Sequence, residues 1–200
     1  MSWLMFAALM LSPLAAFLVW KKSAWLGGSV PAVLTKPAES KETHEDSSPV
    51  AVSVYREKKH AEAQEARIVN DVDRMIEALE YEEKPVDRHL LYRDIIAHTF
   101  PKRHQDPKAR DIFMTTAQAH LKEIPGIITE LMDRFGAKPY FFTFSYYAIA
   151  LTEALEFDRA MEVCRLALAY GAKDALGVGF ERRIEQIAKR KARMEASKAA

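Results

Sequence analysis

The sequence has a single cysteine, Cys164, in 200 residues. It therefore offers no pair of thiols for an intrachain disulfide, and it lacks the early cysteine that a lipidated N-terminus would need. An excess of charge of either sign is also missing, because 29 lysines and arginines face 28 aspartates and glutamates, for a net charge of +1. The composition as a whole therefore argues against a strongly polyanion-binding surface.

Catalytic motifs are missing as well. No G-x-S-x-G sequence occurs, and Gly177-Val178-Gly179 lacks the third glycine and the preceding strand of a dinucleotide-binding loop. Cys164 lies on the small, apolar face of a predicted helix, which favours a buried thiol over a nucleophile. Glu153, Glu156 and Asp158 are close in sequence, but they crowd a predicted surface turn. We therefore expect neither enzymatic activity nor a cofactor.

The histidines do not form a ligand pattern for a metal ion. Asp94 and His98 are one helical turn apart, whereas His89 and His120 each lack a second histidine at that spacing. Two ligands do not make a metal site. His104 lies in a basic turn, where solvation is the ordinary explanation. We therefore expect no bound metal.

The first apolar run predicts a membrane anchor. Residues 3–20 carry no charge, and these 18 residues would span about 27 Å as a helix, close to the thickness of a bilayer core. Trp3 and Trp20 stand at its ends, where indoles favour the headgroup zone, and Lys21 and Lys22 follow at once. A cleaved signal peptide fits less well, since no basic residue precedes the run and no small-x-small site follows it. A buried core helix would rarely be apolar around its whole circumference.

The positive-inside rule predicts the orientation of the anchor, which we assign to residues 1–22. Lysines follow the span and none precedes it, which places the N-terminus outside and the bulk of the chain in the cytoplasm. A periplasmic location of the same domain is the alternative. Residues 23–51 are predicted to be a flexible linker, because residues 35–50 are rich in Pro, Ser, Glu and Lys and have little apolar surface to bury.

From residue 52 onward the periodicity predicts an all-α fold, without an alternating strand pattern. Residues 52–84 are predicted to be a charged amphipathic helix, which packs on the following domain rather than in a coiled coil. Its apolar stripe consists of Val69, Val72, Ile76 and Leu79. Prolines and glycines then divide the helical domain, residues 85–196, from which residues 197–200 extend as a tail. The predicted helices are 87–100, 107–123, 127–135, 140–155, 158–170 and 179–195.

Two of the predicted helical hairpins share one spacing of small and apolar residues. In the second hairpin the residues are Ala148, Leu151, Ala160, Cys164 and Ala167. In the first hairpin they are Ala97, Phe100, Ala109, Phe113 and Thr116. Both sets advance by three, nine, four and three residues. Small side chains let helix backbones approach closely while larger neighbours fill the grooves, so we expect the hairpins to stack on one another.

The second hairpin resembles a tetratricopeptide repeat over the stretch YYAIALTEALEFDRAMEVCRLALAYGAKD. The family's spaced small residues are matched by Ala148, Ala160 and Ala167. Phe157-Asp158 stands at the usual inter-helix turn, Cys164 replaces a large apolar residue, and Ala172 departs from the closing proline. The two hairpins are 51 residues apart, beyond the family period. The resemblance implies a right-handed helical array with a concave face for a protein partner, and a plain helical bundle is the alternative.

An aromatic run before the second hairpin is a candidate contact surface for a protein partner. It is denser than one helix face can bury, and its candidate residues are Tyr140, Phe141 and Phe142. Burial of these rings against the helix at residues 127–135 is the competing interpretation.

The basic last helix is a second candidate surface. Its candidate anion contacts are Arg182, Arg183, Lys189 and Arg190. Closing the exposed end of the array is the default role of such a helix, and binding of nucleic acid or an anionic lipid surface is the alternative. Taken together, these features predict a membrane-tethered, non-catalytic scaffold that binds a cytoplasmic protein partner.

Overall fold

The computed structural model describes residues 49–136 and 140–199, which form seven α-helices and no strand. The predicted all-α class is confirmed, since 82% of these residues are helical. The predicted anchor, with Trp3, Trp20, Lys21 and Lys22, lies outside the described residues, as does most of the predicted linker. None of the described helices combines the length and the hydropathy that crossing a bilayer requires.

Each helix packs mainly on its neighbours in the chain, and α1 also contacts α3. The helices are α1 (Pro49–Ile68), α2 (Val72–Tyr81), α3 (Pro85–Thr99), α4 (Pro107–Phe135), α5 (Phe142–Glu153), α6 (Phe157–Ala169) and α7 (Phe180–Ala199), with a 3₁₀ turn at Phe100–Lys102. Packing between sequence neighbours is how stacked hairpins bury their apolar faces, and the domain is consistent with a helical-repeat fold. α1 begins within the predicted linker, and α7 continues through most of the predicted tail.

The prediction of one charged helix over residues 52–84 is wrong, because a turn at Asn70 separates α1 from α2. Asn70 adopts the left-handed conformation with φ 58, and the amide of Asp71 donates to the carbonyl of Ala66 at 2.9 Å. These are features of a Schellman helix end, in which asparagine is the commonest substitute for glycine. The Asp71 carboxylate then accepts from the amide of Arg74 at 3.1 Å and caps α2.

This turn changes which apolar residues of the segment are buried. Val69 is exposed, and Val72, Ile76 and Leu79 are only partly buried. The fully buried cluster consists of Ala63, Ala66, Met75, Ala78, Leu91 and Ile95. Helices α1 and α2 therefore form a hairpin that closes against α3.

The prediction that the helix starting at residue 107 ends before Pro125-Gly126 is also wrong. The helix continues through both residues and ends at Phe135, before Gly136 with φ 64. The buried residues on either side of the proline are Leu121, Ile124, Ile127 and Leu131. This continuous apolar face outweighs the one backbone hydrogen bond that the proline cannot donate.

The two hairpins with equal spacing differ in how they pack. The fully buried residues of α5 and α6 include Ala148, Leu151, Ala160, Cys164 and Ala167. In the first hairpin Ala109, Phe113 and Thr116 are buried and Phe100 is partly buried. Ala97 is exposed, so its equivalence to Ala148 is wrong. Helix α3 instead buries Leu91, Tyr92, Ile95, Ile96 and Thr99.

The turn between α5 and α6 lies earlier than predicted. Phe157 is the first residue of α6, and the turn is formed by residues 154–156. Leu155 has φ 63, and the amide of Glu156 donates to the carbonyl of Leu151 at 2.8 Å. The short turn places α5 and α6 side by side, which positions both helices for the groove described next.

Candidate functional site

The candidate site begins with a cavity of about 230 Å³ between α5 and α7. Both helices pack on α6, and the cavity is lined from α5 and α7 alone. Its lining residues are Ile149, Thr152, Glu153, Arg183, Gln186, Ile187 and Arg190. The cavity therefore lies between two helices that are not neighbours in the chain.

A second cavity of about 480 Å³ adjoins the first. The loop after the 3₁₀ turn, the first turns of α4 and the end of α5 contribute to it. Its lining residues are Arg103, His104, Arg110, Asp111, Met114, Ala150, Glu153 and Ala154. Glu153 lines both cavities, and we call the two together the Glu153 groove.

Glu153 is held mainly by Arg103. Arg103 donates to it twice, from Nε at 2.9 Å and from Nη2 at 2.8 Å, and His104 Nε2 lies 3.6 Å from the same carboxylate. The hydrogen bond from Arg103 is the main reason that the pKa of Glu153 is lowered, although burial opposes it; the charges of Arg103, His104 and Arg190 add to the lowering. Glu153 is therefore ionised at neutral pH and anchors the basic side chains around it.

The lining of the Glu153 groove contains four arginines, of which Arg103, Arg110 and Arg183 are paired with carboxylates. Among the described residues, Arg190 is the lining arginine without an ion pair within 4.0 Å, and it supplies the excess positive charge. Arg110 and Arg190 are exposed, and Arg110 Nε lies 3.2 Å from its neighbour Asp111. An excess of exposed arginine in a concave site attracts negative charge and can pair with carboxylates in a bidentate manner. The groove is therefore chemically suited to an acidic ligand.

A further cavity, of about 380 Å³, lies between the α5–α6 turn and the end of α7. Its charged lining residues are Glu156, Asp158, Arg159, Lys191, Glu195 and Lys198. Three acids and three bases give it no preference for either sign of charge. The Glu153 groove therefore makes the stronger candidate for selective binding.

Arg183 is not available as the anion contact that the sequence predicted. Its side chain is 10% exposed, and Nη2 donates to both carboxylate oxygens of Asp174 at 2.9 and 2.8 Å. Asp174 also accepts from the hydroxyl of Ser145 at 2.7 Å. Burial would raise the pKa of Asp174, but the hydrogen bonds from Ser145 and Arg183 outweigh it and the pKa is lowered. Arg183 therefore fastens the loop before α7, whereas Arg182, Lys189 and Arg190 are exposed.

The aromatic candidates for a protein contact separate into three environments. Tyr140 is 53% exposed, whereas Phe141 is buried and 2% exposed. Phe141 packs edge-on against His89, with ring centroids 5.1 Å apart, so it is not a surface contact. Phe142 is partly buried and lies 5.1 Å from the ring of Tyr146. Of the three, Tyr140 is the one whose ring is mostly open to a partner.

A buried histidine pair was not found by sequence reasoning. His89 Nδ1 lies 2.9 Å from His120 Nε2, and His120 Nδ1 lies 2.9 Å from the hydroxyl of Thr143. Burial lowers the pKa of His89 to about 4 and that of His120 well below its ordinary value. Both rings are therefore neutral at pH 7, and one must donate its N–H to the other. Helices α3, α4 and α5 are joined by this chain of hydrogen bonds.

A partly buried network of hydrogen bonds lies beside the histidines. Arg88 donates to Glu123 from Nε at 2.7 Å and from Nη2 at 2.6 Å, and the hydroxyl of Tyr92 donates to Glu123 at 2.6 Å. Arg88 Nη1 also donates to the carbonyls of Leu79 and Glu82 at the end of α2. Burial would raise the pKa of Glu123, but the hydrogen bonds from Arg88 and Tyr92 outweigh it and lower the pKa. The contacts connect α2, α3 and α4, which favours an architectural role.

The remaining candidates for chemistry are Cys164 and the pair Asp94 and His98. Burial raises the pKa of the Cys164 thiol to about 12, so the thiolate that nucleophilic attack requires is not formed near neutral pH. His98 Nδ1 lies 2.8 Å from the backbone oxygen of Asp94, whose carboxylate accepts from Arg67 at 2.7 Å. Asp94 and His98 therefore do not aim their ligand atoms at a common point.

No family model, curated protein or solved structure matches this chain. The class of protein is therefore described from the fold alone. Over its described residues the chain is a compact, all-helical domain of seven packed helices, consistent with a helical-repeat fold.

Proposed function

We propose that this protein is a non-catalytic helical-repeat scaffold that holds an acidic segment of a cytoplasmic protein partner in the Glu153 groove. Residues 1–22 tether the scaffold to a membrane, with the N-terminus outside and the helical domain in the cytoplasm. The single observation that carries the proposal is a pair of cavities that share Glu153 and carry two exposed arginines, Arg110 and Arg190, of which Arg190 has no ion pair within 4.0 Å among the described residues.

The position of the groove supports a binding role. It is lined by residues of α4, α5 and α7 and of the loop at Arg103, and stacked helical hairpins generate extended concave surfaces that such cavities can belong to. The tetratricopeptide-like interpretation belongs to this proposal. The burial of Ala148 and Ala160 and the short turn between α5 and α6 support it, whereas the exposed Ala97 limits the resemblance to the second hairpin.

The tether supports the proposal through effective concentration. A scaffold held near a membrane meets partners that are confined to the same surface, so modest intrinsic affinity is sufficient. The uncharged run at residues 3–20 and the lysines that follow it are the basis for this part of the proposal.

A photo-crosslinking amino acid at Gln186, an exposed residue of the groove, should capture one dominant protein when the full-length chain is expressed in its own cell. Charge reversal at Arg110 and Arg190 should reduce that capture about tenfold or more, because like charges brought together in an interface cost on the order of several kcal/mol. The yield of the crosslinked band, measured by immunoblot and identified by mass spectrometry, is the readout.

Arg165→Glu is the matched control, because Arg165 is an exposed arginine on α6, outside the groove. This variant should leave the crosslinked band unchanged. The groove would be excluded as the binding face by equal capture from positions 186 and 165, or by full capture in the doubly reversed variant.

The alternative function is binding of nucleic acid or an anionic lipid surface through the exposed cations of α7. Arg182 and Lys189 are exposed but do not line the groove, so variants at these two positions distinguish the two functions. Reversing both charges should leave protein capture intact. Under the alternative it should abolish sedimentation with phosphatidylserine vesicles or retention of nucleic acid, to which each surface cation contributes about 1 kcal/mol.

The proposed topology makes a separate prediction. A reporter that is active in the cytoplasm, fused after Ala200, should be active when the intact chain is expressed. Lys21→Glu combined with Lys22→Glu should lower that activity, because the positive-inside signal next to the span is removed. Activity of a reporter that functions only outside the cytoplasm, from the unaltered chain, would contradict the orientation.

A further inference from the structure

Three potential metal ligands from separate helical segments converge at the junction of α1, α2 and α3. They are His60 of α1, Glu82 at the end of α2 and Asp87 in the first turn of α3, and one ligand atom from each lies within 4.8 Å of the others. His60 Nδ1 is 2.8 Å from Glu82 Oε2 and 3.8 Å from Asp87 Oδ2. Glu82 and Asp87, which follow His60 by 22 and 27 residues in the chain, therefore both lie near the same ring nitrogen.

The charge of this cluster is not balanced by protein cations. Glu82 has a side chain that is 6% exposed, and the Asp87 side chain is 19% exposed. Over the residues that the structure describes, neither carboxylate has a lysine or arginine within 4.0 Å, although most other ion pairs of the domain contain one. Two shielded carboxylates facing one imidazole form a site of negative charge with a nitrogen donor, which a divalent cation would neutralise.

The neighbouring backbone holds the Glu82 carboxylate in place. Its Oε1 accepts from the amide of Lys84 at 3.1 Å, which leaves Oε2 directed at His60. The carbonyl of Glu82 accepts from Arg88 Nη1 at 2.9 Å, and Arg88 is itself bound to Glu123. Such outer contacts orient metal ligands in established sites, where they are typically as important as the ligands themselves.

We propose that His60, Glu82 and Asp87 bind a divalent transition-metal ion, with Zn²⁺ as the best-fitting probe. Zn²⁺ takes nitrogen and carboxylate ligands at about 2.0 to 2.2 Å in tetrahedral geometry, which separates ligand atoms by about 3.3 Å. The observed separations of 2.8 and 3.8 Å from Nδ1 lie on either side of that value, and the two carboxylate oxygens lie within 4.8 Å of each other. Shifts of about half an ångström at the two His60 contacts, and of up to about 1.5 Å between the carboxylates, would accommodate the ion. Three protein ligands leave the fourth position to water.

The metal would link α1 to the connection between α2 and α3. In the absence of metal, His60 can donate its Nδ1 proton to Glu82, whereas metal binding requires that nitrogen to be deprotonated. An ion that binds the folded state and not the unfolded chain stabilises the fold in proportion to the logarithm of its concentration. The site is separate from the Glu153 groove and does not depend on the function proposed for that groove.

The test is calorimetric titration of the metal-free, full-length protein, purified in a mild detergent, with Zn²⁺, alongside titration with Co²⁺ followed by visible absorption. We expect one ion per chain, and a Co²⁺ spectrum of tetrahedral or five-coordinate type. His60→Gln and Asp87→Asn should each weaken Zn²⁺ binding by at least about tenfold, since loss of an outer-shell contact alone costs that much.

His98→Gln is the control, because His98 is another partly buried histidine in α3 that lies outside the cluster. It should bind Zn²⁺ as the unaltered protein does. Circular dichroism of each metal-free variant establishes that it is folded. If His60→Gln does not fold, the nearly isosteric Asp87→Asn variant provides the test. Equal Zn²⁺ affinity of a folded Asp87→Asn or His60→Gln variant and the His98→Gln control would overturn the proposal, as would no measurable binding to the unaltered chain.

Discussion

Between pH 7 and pH 5 the free energy of unfolding should fall by about 2 kcal/mol through His89 alone. Burial is the main cause of its low folded-state pKa of about 4, and the neighbouring charges of Arg93 and Arg67 lower it further while Asp94 opposes them. In the unfolded chain a histidine has a pKa of about 6.5. The unfolded state therefore binds a proton in this range that the folded state does not, and stability present above pH 6.5 is lost as the pH falls towards 4.

The histidine pair strengthens this effect. His120 is also buried, its pKa is lowered well below the ordinary value, and the adjacent His89 opposes its protonation. The carboxylates with lowered pKa values, Glu123, Glu153 and Asp174, lose their stabilising effect only as the pH falls below their unfolded-state values of about 4 to 4.5. Between pH 7 and pH 5 the change in the free energy of unfolding therefore comes mainly from the buried histidines and not from these acids.

Urea unfolding followed by circular dichroism at pH 7, 6 and 5 measures the effect as a change in midpoint at constant slope. His89→Gln should flatten the pH dependence by about 2 kcal/mol, even if the variant is less stable at every pH, because the titrating group is removed. Ala97→Leu, in which an exposed residue of the same helix is replaced by one that does not titrate, should retain the full pH dependence. An unchanged pH slope in His89→Gln would show that its ring is not held neutral by burial.

Sequence periodicity was sufficient to predict an all-α domain, because amphipathic helices carry their own signal in spacing and in their capping residues. Asp106 and Pro107 marked the start of α4 correctly, and a helix near residues 158–170 corresponds to α6. Local signals failed where tertiary packing decided the outcome. Pro125 was interpreted as a helix end, but buried residues on both sides keep α4 continuous. Asn70 was overlooked as a helix end, although asparagine tolerates the left-handed conformation that ends α1.

The candidate sites were less predictable because they join residues that are distant in the chain. His89 and His120 are 31 residues apart, and nothing in local spacing indicates that their nitrogens meet. Arginine is usually a surface residue, so the sequence predicted that Arg183 is exposed. Only the folded loop that carries Asp174 shows that Arg183 is paired and buried. The lining of the Glu153 groove likewise comes from the loop at Arg103 and from helices α4, α5 and α7, so no single segment of sequence contains it.

Replacing Ala148 with leucine should destabilise the domain by about 1 to 3 kcal/mol, because its site is fully buried and the added carbons must displace packed neighbours. Ala97→Leu is a matched control, since the sequence spacing assigned both alanines to the same repeat position but Ala97 is exposed. Leucine is nearly as good a helix former as alanine, so this control should change the free energy of unfolding by less than about 0.5 kcal/mol. Urea unfolding at pH 7 gives both values on one scale.

A double-mutant cycle tests whether Ala148 and Ala160 form the close crossing between α5 and α6 that the resemblance to a tetratricopeptide repeat requires. Both residues are fully buried, and the two helices pack on each other. Residues that share one contact should show a coupling energy of at least about 0.5 kcal/mol when Ala148→Leu and Ala160→Leu are combined, whereas independent sites add. Additive losses would place the two alanines in separate contacts, and α5 and α6 would then belong to a plain helical bundle rather than to a repeat.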